Sequence, residues 1–179
     1  MKHDEILNFW FEEIDHSLWW KKDTSFDQLI IDRFSDIHNK AIHGELIEWR
    51  QSAKGALVEI IILDQFSRNM FRDTARAFAY DGMALLLSQQ ALSAKYDHQL
   101  SAVENSFLYM PFMHSESALI HEAAVELYRK NGIQSNLDFE LKHKAIIDRF
   151  DRYPHRNEIL GRESTAEEIE FLKEEGSSF

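Results

Sequence analysis

The chain has 179 residues, 44% of them hydrophobic, no cysteine and a formal net charge of −11. That length fits one compact domain over residues 1–179, able to bury its own core without covalent staples. The missing cysteines exclude disulfides, thiolate nucleophiles and cysteine-held metal, and the acidic balance argues against nucleic acid, whose phosphates call for a basic stripe.

Only two prolines and six glycines punctuate the sequence, and period-two alternation is missing while three-and-four spacing is everywhere, which predicts an all-α fold. A first helix is expected from about Asp4 to Glu13, with Ile6, Leu7, Trp10 and Phe11 on one face. Its start, "MKHDEILNFWFEE", has neither the apolar core nor the small-residue cleavage site of a signal peptide. Residues 15–23 hold Trp19 and Trp20 in a loop. The pair "WWKKD" reads either as an inward-packed corner or as an exposed anchor for a partner. A second helix begins at Thr24 or Ser25, carries Phe26, Leu29, Ile30, Phe34, Ile37 and Ala41, and ends at Gly44.

After a short turn around Trp49, a third helix is expected from about Lys54 to Phe71. Its run "GALVEIIIL" is broken by Glu59 and falls well short of the roughly 20 residues of a membrane span. A soluble, cytoplasmic protein without membrane contact is the expectation. A fourth helix, capped by Thr74, is expected from about Ala75 to Lys95. A fifth runs from about Ser101 to Phe112 and ends or kinks near Pro111. A sixth runs from about Ser117 to Lys130, closed by Gly132, and a seventh from about Leu137 to Phe150, with "NGIQSN" between them as the most flexible point. A short helix near Arg156 to Leu160 and a last one from Thr165 to Lys173 complete the chain. Ser164–Glu167 and Thr165–Glu168 both have capping-box spacing. The tail "EEGSSF" frays or is pinned by Phe179. Helix after helix with short connections implies antiparallel neighbours in a layered domain.

Three polar clusters stand out. In "LDQFSRNMFR", Asp64, Arg68 and Arg72 are spaced to share one helical stripe, with Asn69 beside them. Guanidinium forks suit carboxylates and phosphates. The plainer reading is an Asp64–Arg68 pair on a solvated face. In "DRYPHRNEILGRE", Pro154 stops the preceding helix, and His155, Arg156 and Asn157 stand at the start of the next. With Arg162 they would form an anion cradle at a helix N-terminus. The alternative is that Arg156 and Asn157 tie the last elements to neighbouring carbonyls. "DQFSRN" and "DRYPHRN" also align loosely, as a duplicated helical unit would. In "FMHSESALIHEAA", His114 and Glu116 are the candidate catalytic acid–base pair, or else the serines simply cap a helix. The two-histidine metalloprotease motif is missing, as are Gly-rich phosphate loops, the nucleophile elbow and the dinucleotide fingerprint. No metal and no cofactor are expected.

Taken together, "LNFWFEE", "WWKKD…FD", "LDQFSRNMFR", "FLYMPFMHSES" and "RYPHRNEILGRESTAEEIEFL" resemble, in order and over nearly the whole chain, the bacterial family known as domain of unknown function 924. The resemblance implies a tetratricopeptide-like right-handed α–α superhelix of stacked hairpins and brings no established activity. The family pattern favours proline at Ser67, glutamate at Met113 and glycine at Asp151. Arg68, Asn69, His114, Ser115, Glu116, His143, His155, Arg156, Asn157 and Arg162 match it. The resulting expectation is a small anionic metabolite bound in a cavity lined by Arg68, Asn69, Arg72, His143, His155, Arg156, Asn157 and Arg162. The alternative is a protein or peptide partner held on a concave helical surface, with the Arg–Asn motifs as latches. Whether a reaction is catalysed is left open.

Overall fold

The computed structural model describes residues 1–178, so the pinning role expected of Phe179 lies outside the described residues. Among the described residues the regular structure is helical, with no strand. The helices are α1 (His3–Asn8), α2 (Thr24–Ile42), α3 (Ala53–Ile61), α4 (Ser67–Met70), α5 (Asp81–Ser93), α6 (Ala102–Met113), α7 (Ala118–Asn131), α8 (Gln134–Phe150) and α9 (Ala166–Phe171). None is long and apolar enough to cross a membrane.

The centre is α3. Ala56, Leu57, Val58, Ile60, Ile61, Ile62 and Leu63 are all buried, so this segment is apolar all round, as a helix enclosed by others must be. It packs on α1, α5 and α6. Its one interior charge, Glu59, is fully buried and takes a two-pronged bond from Arg50, at 2.6 and 2.7 Å. Gly55 lets the chain approach closely at the base of α3, because a Cβ there would sit 2.1 Å from the Trp49 carbonyl oxygen. An aromatic cluster of Phe9, Trp10, Phe26, Phe34, Phe66 and Phe107 ties the turn after α1, α2 and α6 to this core. Trp19 packs inward on Trp10 and Phe107, while Trp20 stays largely exposed. A smaller cluster joins Ile146, Ile147, Tyr153 and Phe171 near the C-terminal end.

Several expected boundaries shift. The predicted third helix runs from Ala53 to Met70 but is interrupted by a π turn at Ile62–Phe66, and Arg72 falls beyond its C-cap at Phe71. Of the stripe expected for Asp64, Arg68 and Arg72, the Asp64–Arg68 pair forms at 3.2 Å, while Arg72 leaves it. The predicted fourth helix divides into a 3-10 turn, Ala75–Phe78, and α5. Thr74 donates to the Phe71 carbonyl instead of capping. Pro111 is accommodated in the last turn of α6, which continues to Met113. The stretch expected to flex between the sixth and seventh helices is short, since α8 starts at Gln134. Gly132, in left-handed geometry at φ 81°, closes α7 as anticipated. Thr165, not Ser164, forms the capping box with Glu168.

Candidate functional site

The C-terminal end of α6 is the anchor of the site. The last carbonyls of a helix have no partner within it, and here side chains from elsewhere supply them. The Tyr153 hydroxyl donates to the Met113 carbonyl at 2.5 Å. An Arg156 amino group donates to the His114 carbonyl at 3.1 Å, and His121 Nε2 bonds the Ser115 carbonyl at 2.8 Å. The negative end of the helix also favours a cation there. The segment from Tyr153 to Arg156 is thereby fastened against α6. The short helix expected from Arg156 to Leu160 is only a 3-10 turn, Pro154–Arg156. The Arg156 and Asn157 N–H groups, expected to face an anion, bond the Tyr153 and Pro154 carbonyls at 3.0 Å each.

Instead the charges form a chain. Asp64, 1% exposed, receives His114 Nδ1 at 2.7 Å, Gln65 Nε2 at 2.5 Å and Arg68 Nη1 at 3.2 Å. Burial pushes the Asp64 carboxyl up, but Arg68, His114 and Gln65 outweigh it and hold the group well below the usual carboxylate range. Arg68 then reaches Asp81, the first residue of α5, with two bonds of 2.9 Å. Asp81 is shared with Arg156 at 3.4 Å. The Arg156 guanidinium lies 4.6 Å from the ring centres of both Phe78 and Tyr153. Its Nε is buried and has no hydrogen-bond partner. Burial and the neighbouring Arg68 lower its pKa, which Asp81 and Glu116 only partly offset. Burial and Arg68 likewise push His114 below the ordinary histidine value, against the pull of Asp64.

Next to this chain lies a second assembly. Arg162 makes a two-pronged bond to Glu116, at 2.6 and 2.9 Å. It also donates to Asn157 Oδ1 at 3.0 Å and to the Tyr153 carbonyl at 3.2 Å. Asn157 is fully buried and donates to Ser164 at 3.0 Å. Glu116, also bonded by the Tyr153 N–H, therefore faces Arg162, and His114 faces Asp64. The rings of His143 and His155 lie 5.8 and 5.6 Å from the Tyr153 ring centre. Burial lowers both histidines to about 3, so they are neutral near neutrality. His121 Nδ1 meets Glu140 at 2.7 Å, both fully buried.

The structure thus brings His114, Glu116, Arg68, Arg156, Asn157, Arg162, His155 and His143 into one neighbourhood around Tyr153 and the end of α6. It does not bring Asn69 and Arg72 there. Both turn to Asp27 of α2, Asn69 at 2.8 Å and Arg72 at 2.5 and 2.6 Å. Asp81, Phe78 and Tyr153 are members that sequence reasoning passed over as binding residues. Nothing local marks Asp81 among 31 acidic residues, although an Asp opening a helix after an aromatic turn is a signal of position. Among the described residues no group of three or more histidine and carboxylate ligands is arranged to hold a metal ion.

Chemically, the site pairs its charges almost completely: Arg68 and Arg156 against Asp64 and Asp81, Arg162 against Glu116. What is left over among the described residues is the Arg156 guanidinium, whose Nε has no hydrogen-bond partner. Residues 6–176 match a family described as bacterial protein of unknown function (DUF924). A solved structure of a protein of unknown function, ATU0120 from Agrobacterium tumefaciens, is similar over 96% of each chain, with 36% identity and a TM-score of 0.90. No curated protein matches the chain.

Proposed function

We propose that this chain, which belongs to the DUF924 family of bacterial proteins of unknown function, binds a small anionic metabolite at the junction of Arg68, Asp81 and Arg156. The observation that carries this reading is the state of Arg156. It is buried, lies 3.4 Å from Asp81, a carboxylate that Arg68 already holds with two shorter bonds, and has an Nε without a partner among the described residues. A guanidinium in that position is under-compensated, and an incoming carboxylate or phosphate supplies what Asp81 cannot give twice. Arg162, a quarter exposed, stands close by as the next cation. The binding unit is a single cytoplasmic all-α domain, and its successive antiparallel helices α6, α7 and α8 are the stacked hairpins of a tetratricopeptide-like right-handed superhelix.

Thermal unfolding with inorganic phosphate and with citrate tests this. A ligand specific for the folded form raises the melting temperature, by about 2.7 kcal/mol of stabilisation at a hundred times its dissociation constant. The rise should vanish in Arg156→Met. If neither anion shifts the wild-type melting temperature, or if both shift the variant equally, the reading is wrong.

A second reading is an interaction module. It is favoured by the exposure of Leu119, Phe139 and Leu141 on α7 and α8, with the Arg162–Asn157–Ser164 bonds acting as latches. An interaction through that surface is independent of Arg156, which separates the two readings.

A further inference from the structure

We infer that His114 is a general base, oriented by the buried carboxylate of Asp64, that takes a proton from an O–H on a small anionic substrate held by Arg68 and Arg156. This rests on the anion-binding reading above and adds a reaction to it. The geometry is that of a histidine–aspartate dyad. His114 Nδ1 lies 2.7 Å from Asp64 Oδ1. Three polar neighbours keep Asp64 ionised, so it can only accept, and Nδ1 must carry the hydrogen. Nε2 then presents a lone pair. Among the described residues no group bonds Nε2, and it is not one of the buried polar atoms left without a partner. The ring keeps 14% of its side chain exposed. Four features therefore coincide: a fixed tautomer, an open nitrogen, a buried orienting carboxylate and cations alongside.

In the step itself the substrate O–H bond breaks and its electron pair stays on oxygen, where Arg68 and Arg156 offset the growing negative charge. The proton joins Nε2. The Nδ1–H remains donated to Asp64, whose charge stabilises the imidazolium. Asp64 is a positioning residue and never receives the proton. Glu116 takes no part, because both of its oxygens are held by Arg162.

The test is acylation of His114 by diethyl pyrocarbonate, mapped by peptide mass, since only a neutral imidazole with a free lone pair reacts. In the wild-type protein His114 should react at pH 7, with a rate that follows one titration below the ordinary histidine value. Asp64→Asn should slow it roughly tenfold or more, because the wrong tautomer then predominates. Should that variant not fold, nitrogen-15 correlation spectra of the wild-type imidazole give the tautomer directly. A folded wild-type protein with inert His114, an Asp64→Asn variant reacting at the wild-type rate, or a hydrogen found on Nε2 each overturns the dyad. Inorganic phosphate should protect His114. If phosphate fails both to protect it and to raise the melting temperature, while the Asp64 dependence holds, the anion-binding reading falls and the poised base stands.

Discussion

Arg68 and Arg156 meet across a single carboxylate: Asp81 takes two bonds of 2.9 Å from Arg68 and one of 3.4 Å from Arg156. The two arginines are therefore unequal in what they hold together. Removing Arg68 leaves Asp64 to His114 and Gln65 and leaves Asp81 only the 3.4 Å bond from Arg156, and loss of one partner from a buried pair costs about 3–5 kcal/mol. Removing Arg156 leaves Asp81 with its better partner and relieves a repulsion. What is lost is the contact with the Phe78 and Tyr153 rings and one bond to the His114 carbonyl. Urea unfolding should give Arg156→Met within about 1 kcal/mol of wild type, and Arg68→Met several kcal/mol below it. Equal losses would mean that Arg156 is a structural member of the cluster.

A pH dependence follows from the buried histidines, and His38 isolates it. His38 is 3% exposed, bonds Ser67 Oγ at 2.9 Å and lies edge-on to Phe71 and Tyr80. Burial, helped by Arg76, lowers it from 6.5 to about 4. Between those two values the unfolded chain binds a proton that the folded chain refuses. Its contribution to stability is whole above pH 6.5 and is lost as pH falls through 4. The slope is at most about 1.4 kcal/mol per pH unit for one such group. His143 and His155 act in the same direction down to about 3. His38→Gln keeps a donor for Ser67 and removes the titration, so its unfolding free energy should fall less steeply between pH 6.5 and 4 than that of wild type. Parallel curves would show that His38 is protonated in the fold.

Asp151 closes α8 in left-handed geometry, at φ 55°. Such geometry costs an ordinary residue about 1–2 kcal/mol, and somewhat less for aspartate, while glycine adopts it freely. The glycine that the family resemblance leads one to expect here would adopt this geometry without strain. Asp151→Gly should stabilise by roughly 0.5–1 kcal/mol, after the extra freedom of glycine in the unfolded chain is set against the relief. That corresponds to a rise of a few degrees in melting temperature for a domain of this size. An unchanged or lower melting temperature would show that the side chain has compensating contacts.

The helices were legible because their apolar spacing and caps are local: Gly132 after α7, and Thr165 with Glu168 before α9. The Asp64–Arg68 pair was legible for the same reason, at four residues apart. What spacing cannot reveal is a partner brought in by packing. Asp64 and His114 are fifty residues apart, and Arg156 and Asp81 seventy-five. The adjacency of His114 and Glu116 suggested a pair, yet the turn after α6 points them to different partners. Arg72 was misassigned to the stripe because the C-cap at Phe71 ends the helix before it. Backbone irregularity of that kind has no composition signature.

The Glu116–Arg162 pair separates a latch from a binding cation. Glu116 is a quarter exposed, and burial works to raise its pKa, but Arg162 and the Tyr153 N–H prevail and keep it low. Glu116 joins the turn after α6 to the segment carrying Tyr153 and Arg156, through Arg162 and through the 2.8 Å bond from Tyr153 N–H. Glu116→Gln keeps the shape and removes the charge, which should cost about 1–3 kcal/mol, typical of a charged hydrogen bond. Amide exchange should quicken over residues 153–162 and stay unchanged in α3, since local opening follows local contacts. In a double-mutant cycle with Arg162→Met the coupling should exceed about 0.5 kcal/mol. If the cycle is additive and exchange at Tyr153 is unaltered, Arg162 holds nothing in the free protein and is available in full to a bound anion.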